Sequence, residues 1–178
     1  MRATALLPVA LLPVALLAVA SCSSTPSALL TAEPRDAELR SRLLTAIQSL
    51  EGRWEMPGGE APAIIEFRST AAGSAVCEVM FPGTENEMVN LYTLDGNSLV
   101  MTHYCAAGNQ PRMRATDLVD GRLEFVSVSV SDLETPGALH MADMTLVLVD
   151  EDRIEQHWRA VKDGEDDHMP VFELVRVR

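Results

Sequence analysis

Basic residues, aromatics and cysteines are all scarce in this 178-residue chain, and each shortage excludes something. Only 14 Lys and Arg stand against 26 Asp and Glu, a net charge of −12. Nucleic acid, whose phosphates demand a basic face, is therefore not a partner the composition suits. Polybasic docking on an anionic membrane is disfavoured for the same reason. Aromatics make up 4% of residues, and Trp158 reads as core or lumen wall rather than as a stacking platform. Three cysteines are too few for a disulfide scaffold. There is no Gly-x-Ser-x-Gly, no His-Glu-x-x-His, no phosphate-binding glycine loop and no calcium loop. The four histidines, at 103, 140, 157 and 168, lie in separate segments. What the chain does have is 47% hydrophobic residues, too many for a disordered polymer. The length suits one globular domain with accessories.

The accessories come first. Arg2 precedes an apolar stretch from Ala3 to Ala20 that contains Pro8 and Pro13. A basic start, a short apolar core and small residues make a secretory signal. A spanning helix needs about 20 apolar residues, and the two prolines oppose one. Ala18-Val19-Ala20 would serve ordinary cleavage before Ser21 and release a secreted or periplasmic soluble protein. Val19-Ala20-Ser21-Cys22 resembles the bacterial lipobox, which implies acylation of Cys22 and a mature chain that begins there. The expected layout is a signal peptide over 1–21, a flexible Ser/Thr/Pro-containing tether over 22–36, and a folded domain over 37–178. Two or three acyl chains anchor stably where one binds only marginally, so Cys22 would be the membrane attachment. Ser23 after the lipidated cysteine implies, by resemblance to enterobacterial sorting, the outer membrane of a bacterial cell envelope.

One helix is legible in the folded part. Leu39, Leu43, Ile47 and Leu50 recur at helical spacing, Asp36 can cap the start, and Gly52 stands where the helix would end. After it come ten predicted strands, over 52–56, 61–69, 74–81, 87–94, 98–105, 111–118, 122–130, 138–149, 153–160 and 170–178. In the segment from Ala75 to Phe81, the odd positions are all apolar. No crossover helix interrupts the series, and parallel strands would need one, so the sheet is antiparallel. Loops alternate between its two ends. One set is tight, with Asp-Gly twice; the other is longer and richer in Gly and Pro, and includes 161–169 with the acidic run Asp163–Asp167. A short-loop end and a long-loop end suit an up-and-down barrel with a floor and a mouth. Closure also removes the edges that would otherwise aggregate. The fold expected is all-β, an antiparallel barrel of about 8–10 strands, with the N-terminal helix closing the floor.

These features, with Gly52-Arg53-Trp54 after a short helix, resemble the calycins: lipocalins, fatty-acid-binding proteins and their bacterial lipocalin-like relatives. The resemblance implies that Arg176, in the last strand, packs over Trp54, a cation–π contact of about 0.5–2 kcal/mol. It does not extend to haem-binding nitrobindin-like barrels, because their glycine alternation does not follow Trp54. The implied function is binding or carriage of a small, mostly apolar ligand, with no cofactor.

Candidate ligand contacts follow from the strands. Strand 98–105 places Leu99, Met101, His103 and Cys105 on one face, and pairing across the Asp95-Gly96 turn sets Tyr92, Asn90 and Met88 opposite Leu99, Met101 and His103. That mixture of apolar and polar side chains suits a lumen holding something slightly polar. Asn109, Gln110 and Arg112 would add a polar collar at the mouth. A His103–Cys105 pair lacks a nameable third ligand for zinc, so no metal is expected. His103, Tyr104 and Cys105 are the candidates if the lumen is instead an isomerase-like enzyme site, and a solid-cored interaction module is a further alternative. An oxidising envelope would favour a bond between Cys77 and Cys105. Their separation by strand 87–94, roughly 9–10 Å, exceeds the about 7 Å a disulfide spans, which leaves only a bond across a flattened lumen.

Overall fold

A computed structural model describes residues 35–58 and 63–178. The expected signal peptide, Cys22, the expected tether up to residue 34 and the first two residues of the predicted strand 61–69 lie outside the described residues.

The helix α1 (Ala37–Gln48) forms where the apolar period placed it. The Asp36 carboxylate accepts from the backbone N–H groups of Glu38 and Leu39, both at 3.0 Å, which satisfies two of the free donors at a helix start. Leu43, Ala46 and Ile47 are buried, as is Leu50 just beyond. The helix ends at Ser49, three residues earlier than Gly52. Gly52 instead opens the first strand at φ +129°, and a Cβ there would stand 3.3 Å from the Arg176 guanidinium.

Eleven strands follow. They are β1 (Gly52–Met56), β2 (Ala63–Thr70), β3 (Ala75–Met80), β4 (Met88–Asp95), β5 (Ser98–Tyr104), β6 (Gln110–Ala115), β7 (Arg122–Ser131), β8 (His140–Leu148), β9 (Arg153–Lys162), β10 (Glu165–His168) and β11 (Val171–Arg176). Every pairing is antiparallel. Neighbours in sequence pair from β1 to β9, β9 then pairs β11, and β11 returns to β1. Ten strands thus close an up-and-down barrel, with no edge left along the ring. The eleventh, β10, lies outside the ring: it pairs the mouth end of the same β9 edge whose floor end pairs β11. The acidic segment expected as a loop is therefore a hairpin strand, turned at Asp163-Gly164, both at positive φ. The β7–β8 seam is registered from Arg122 to Phe125 only; above it the Asp143 carboxylate accepts from the Ser127 N–H at 3.3 Å.

The helix closes the short-loop end. Gln48 Nε2 donates to Gly73 O at 2.8 Å, Arg40 donates to Gly96 O, and Arg42 meets Asp117. These three partners sit in three different floor turns. At the same end Trp54 is fully buried and its Nε1 donates to Leu50 O at 2.8 Å. Arg176 lies over the Trp54 ring, its guanidinium carbon 4.2 Å from the centroid. Its two terminal nitrogens donate to Ser49 O and Glu51 O, both at 2.8 Å. One side chain therefore covers the aromatic and caps the carbonyls where the helix turns into β1.

Two expectations about register and facing need correction. The β4–β5 turn is tighter than expected, with Asp95 paired to Ser98. The strands therefore slip by two residues: Tyr92 opposes Met101, Asn90 opposes His103, and Leu94 opposes Leu99. The slip is even, so every side chain keeps its face. In β3 the alternation points the other way. Val76, Glu78 and Met80 share the lumen face, although the odd positions looked like the apolar side. Buried partners for Glu78 make that inversion possible.

Candidate functional site

The lumen is layered. Its floor half is filled by apolar side chains, among them Leu99, Met113, Leu123, Phe125 and Leu146, all essentially without exposure. Tyr92 packs edge-on against Phe125 across the barrel, with centroids 5.7 Å apart. Towards the mouth the lining turns polar. Glu78 on β3, Asn90 and Tyr92 on β4, His103 on β5, and Gln156 and Trp158 on β9 form one connected network.

Glu78 is its centre. Asn90 Nδ2 donates to Glu78 Oε2 at 2.7 Å and the Tyr92 hydroxyl donates to the same oxygen at 2.6 Å. Gln156 Nε2 donates to Oε1 at 2.6 Å. Glu78 is 0% exposed, and among the described residues no salt bridge reaches it. Burial pushes its carboxyl above the usual range, while the hydrogen bonds from Gln156, Tyr92 and Asn90 pull it back down. Tyr92 is held well above the ordinary phenol value by its own burial and by the adjacent carboxylate. The Glu78–Gln156 bond links β3 to β9, four strand steps apart around the ring, so it is a strut across the lumen.

The tautomer of His103 follows from this chain of donors. Asn90 Nδ2 is committed to Glu78, so Asn90 presents its Oδ1 to His103 Nδ1, 2.6 Å away. A carbonyl oxygen only accepts, hence Nδ1 carries the proton and Nε2 bears a lone pair. His103 Nε2 is buried and has no hydrogen-bond partner. Burial lowers the His103 pKa from 6.5 to about 4, so the ring is neutral near pH 7. It packs against Trp158 at a centroid distance of 4.9 Å, and Trp158 Nε1 donates to Gln156 Oε1 at 3.2 Å.

One register step nearer the mouth, Met80 opposes Met88 as Glu78 opposes Asn90. Met88 also lines a rim cleft of about 580 Å³, together with Ile64, Phe81, Pro82, Asn86 and Ala106. The cleft is mostly apolar; Met88 lines it, and Met80, its cross-strand partner, lies against the polar layer with its Sδ 3.5 Å from Asn90 Nδ2. Unbranched thioether chains adapt readily to a neighbour's shape.

Of the residues singled out from sequence, Asn90, Tyr92, Met101 and His103 converge in the interior, and Met88 lies at the rim. The others do not join them. Asn109 is buried at the mouth, its Nδ2 donating to Leu139 O at 2.8 Å and its Oδ1 unpaired. Gln110 and Arg112 lie on the outer face, because β6 turns Pro111 and Met113 inward. Ser131 Oγ donates to Gln110 Oε1 at 2.9 Å, and Arg112 faces Asp95 at 3.4 Å. Cys105 sits in the rim turn, where it accepts from the Ala107 N–H at 3.5 Å. Tyr104 points outward and is 49% exposed, so His103, Tyr104 and Cys105 do not address one point. Cys77 and Cys105 are both free thiols.

Glu78 and Gln156 went unrecognised in the sequence. A single Glu in an apolar strand reads as an outward position, and Gln156 reads as one polar residue among several. Only the registers expose the signal, a row of polar residues Glu78, Asn90 and His103 on three neighbouring strands. No model of a known protein family matches this chain, and no curated protein matches it.

Proposed function

We propose that this protein is a calycin-like carrier of the bacterial cell envelope, lipid-anchored through Cys22 and sorted to the outer membrane. Its barrel binds a small, mostly apolar ligand at the mouth. The observation that carries this reading is the polar layer beneath an apolar cleft. A buried imidazole nitrogen without a partner costs about 1–3 kcal/mol, and such orphans are rare in folded proteins; a bound ligand would supply the missing partner. The cleft offers apolar walls, the layer offers a polar end-point, and the paired Met88 and Met80, one at the cleft and one at the layer, have adaptable side chains. Small-molecule sites have this character, apolar walls with few convergent polar groups.

The test is extraction of the purified protein with solvent, identification of co-purified molecules by mass spectrometry, and titration with a neutral fluorescent naphthylamine. A recurrent extracted molecule, or saturable probe uptake that it displaces, supports the carrier. A folded protein that takes up neither has a solid core, the second reading, which the filled floor half of the lumen favours. The anchor is tested separately. Cys22→Ala should abolish labelling by radioactive palmitate and release the protein from membranes, and persistent labelling would overturn the assignment.

A further inference from the structure

The polar layer also says what kind of head group the ligand carries. We infer that the site selects an apolar molecule ending in a neutral hydroxyl, and discriminates against carboxylates of the same chain; this rests on the carrier reading. The first reason is the direction of the free hydrogen bond. The tautomer fixed by Asn90 leaves His103 Nε2 as a pure acceptor, so the group that satisfies it must donate. A carboxylate has no proton to give. An ether or ester oxygen has none either.

The second reason is charge. Glu78 lies one residue pair from His103, bridged by Asn90, and the three donors aimed at it are those that suit an ionised carboxylate. Among the described residues no Arg or Lys reaches that layer: the arginines on β6 and β9, Arg112, Arg114, Arg153 and Arg159, are engaged outside with Asp95, Asp150, Asp143 and Asp166. A second anion would therefore meet an uncompensated negative charge at low dielectric. An ammonium would escape that repulsion, but it brings three donors to one free acceptor and would strand the others. A hydroxyl brings one donor, and its oxygen costs little to bury once the proton is bonded.

The geometry of access agrees. His103 is 1% exposed, so the head group would leave the surface to reach it, while the chain stays in the rim cleft beside Phe81 and Met88. A buried water could fill the same position. In that case the head group would never reach the imidazole, and ligands would not be sorted by it.

The experiment compares three ten-carbon ligands on the purified protein at pH 8: 1-decanol, decyl methyl ether and decanoate. Each displaces the neutral probe N-phenyl-1-naphthylamine, with tryptophan emission as a second readout because Trp158 packs against His103. Decanol should bind more tightly than the ether by roughly two- to tenfold, the worth of one hydrogen bond. It should exceed decanoate by at least about tenfold, because like charges in an interior repel strongly. His103→Leu should bring decanol down to the level of the ether without changing the ether, and Glu78→Gln should narrow the gap to decanoate. The wild-type ranking decides the matter alone if either variant fails to fold. Equal binding of alcohol and ether, as a resident water would give, overturns the hydroxyl assignment, and so does a preference for decanoate. Both leave the carrier standing. If none of the ligands binds and the probe is not taken up, the carrier reading itself falls.

Discussion

Replacing His103 by leucine should remove an acid sensitivity from the fold, and the size of that change can be worked out. The unfolded chain protonates this imidazole near 6.5, whereas burial among Trp158, Asn90 and the lumen walls holds the native ring neutral down to about 4. Between those values the unfolded state binds more protons, so native stability rises with pH. The contribution is fully present above pH 6.5 and is lost as pH falls through about 4. At ~1.36 kcal/mol per pH unit, the shift from 6.5 to about 4 amounts to ~3 kcal/mol. Glu78 works in the opposite sense. Its raised value makes the native state the better proton binder above the ordinary carboxyl range, so its contribution falls as pH rises. Both proteins contain Glu78, so subtracting their stabilities isolates the histidine. Urea unfolding of wild type and His103→Leu, at half-unit steps from pH 4 to 7.5, measures the difference. It should change by ~3 kcal/mol across that window, in favour of the wild type at the neutral end. A difference flat to within ~0.5 kcal/mol would show that His103 is solvated in the native state, and the argument for a buried orphan nitrogen would go with it.

Other residues test the floor of the barrel. Trp54→Ala should lower stability by about 3–5 kcal/mol in thermal or urea unfolding, since the indole is fully buried, bonded to Leu50 O and covered by Arg176; a change within error would make its packing incidental. Gly121→Ala should cost more than about 1 kcal/mol, because φ is +74° and the new Cβ would meet Leu148 O at 2.9 Å. Ligand displacement by that variant should match wild type, since the β6–β7 turn that holds Gly121 lies at the end opposite the cleft, and a parallel loss of affinity would place the binding space elsewhere.

Much of the fold was legible because it depends on local chemistry. The helix follows from the 39, 43, 47, 50 period and the Asp36 cap, and the antiparallel order follows from tight turns without crossover segments. The alternation of short and long loops was enough to give closure, a floor and a mouth. The packing of Arg176 over Trp54 was implied by the resemblance to calycins, and the structure has that contact. The acidic run before His168 misled, because charge and glycine look alike in a loop and in the turn of an exposed hairpin.

The polar layer was a different matter. Asn90, Tyr92 and His103 could be assigned to the lumen face from alternation alone, since period-two facing survives an even slip in register. Glu78 could not, because one strand's alternation carries two solutions and the apolar set at odd positions was the more obvious inward face. Which solution holds depends on Tyr92, Asn90 and Gln156, and Gln156 is 78 residues away along the chain. Burying a carboxylate is unfavourable until those donors surround it, and closure of the ring is what brings β9 across from β3. Sequence by itself therefore determined the elements, their order and the facing of most strands, all set by interactions within a few residues. Tertiary structure alone decided where the buried charge goes, which imidazole nitrogen is left without a partner, and that the lumen is packed below this layer, with an apolar cleft at the rim beyond it.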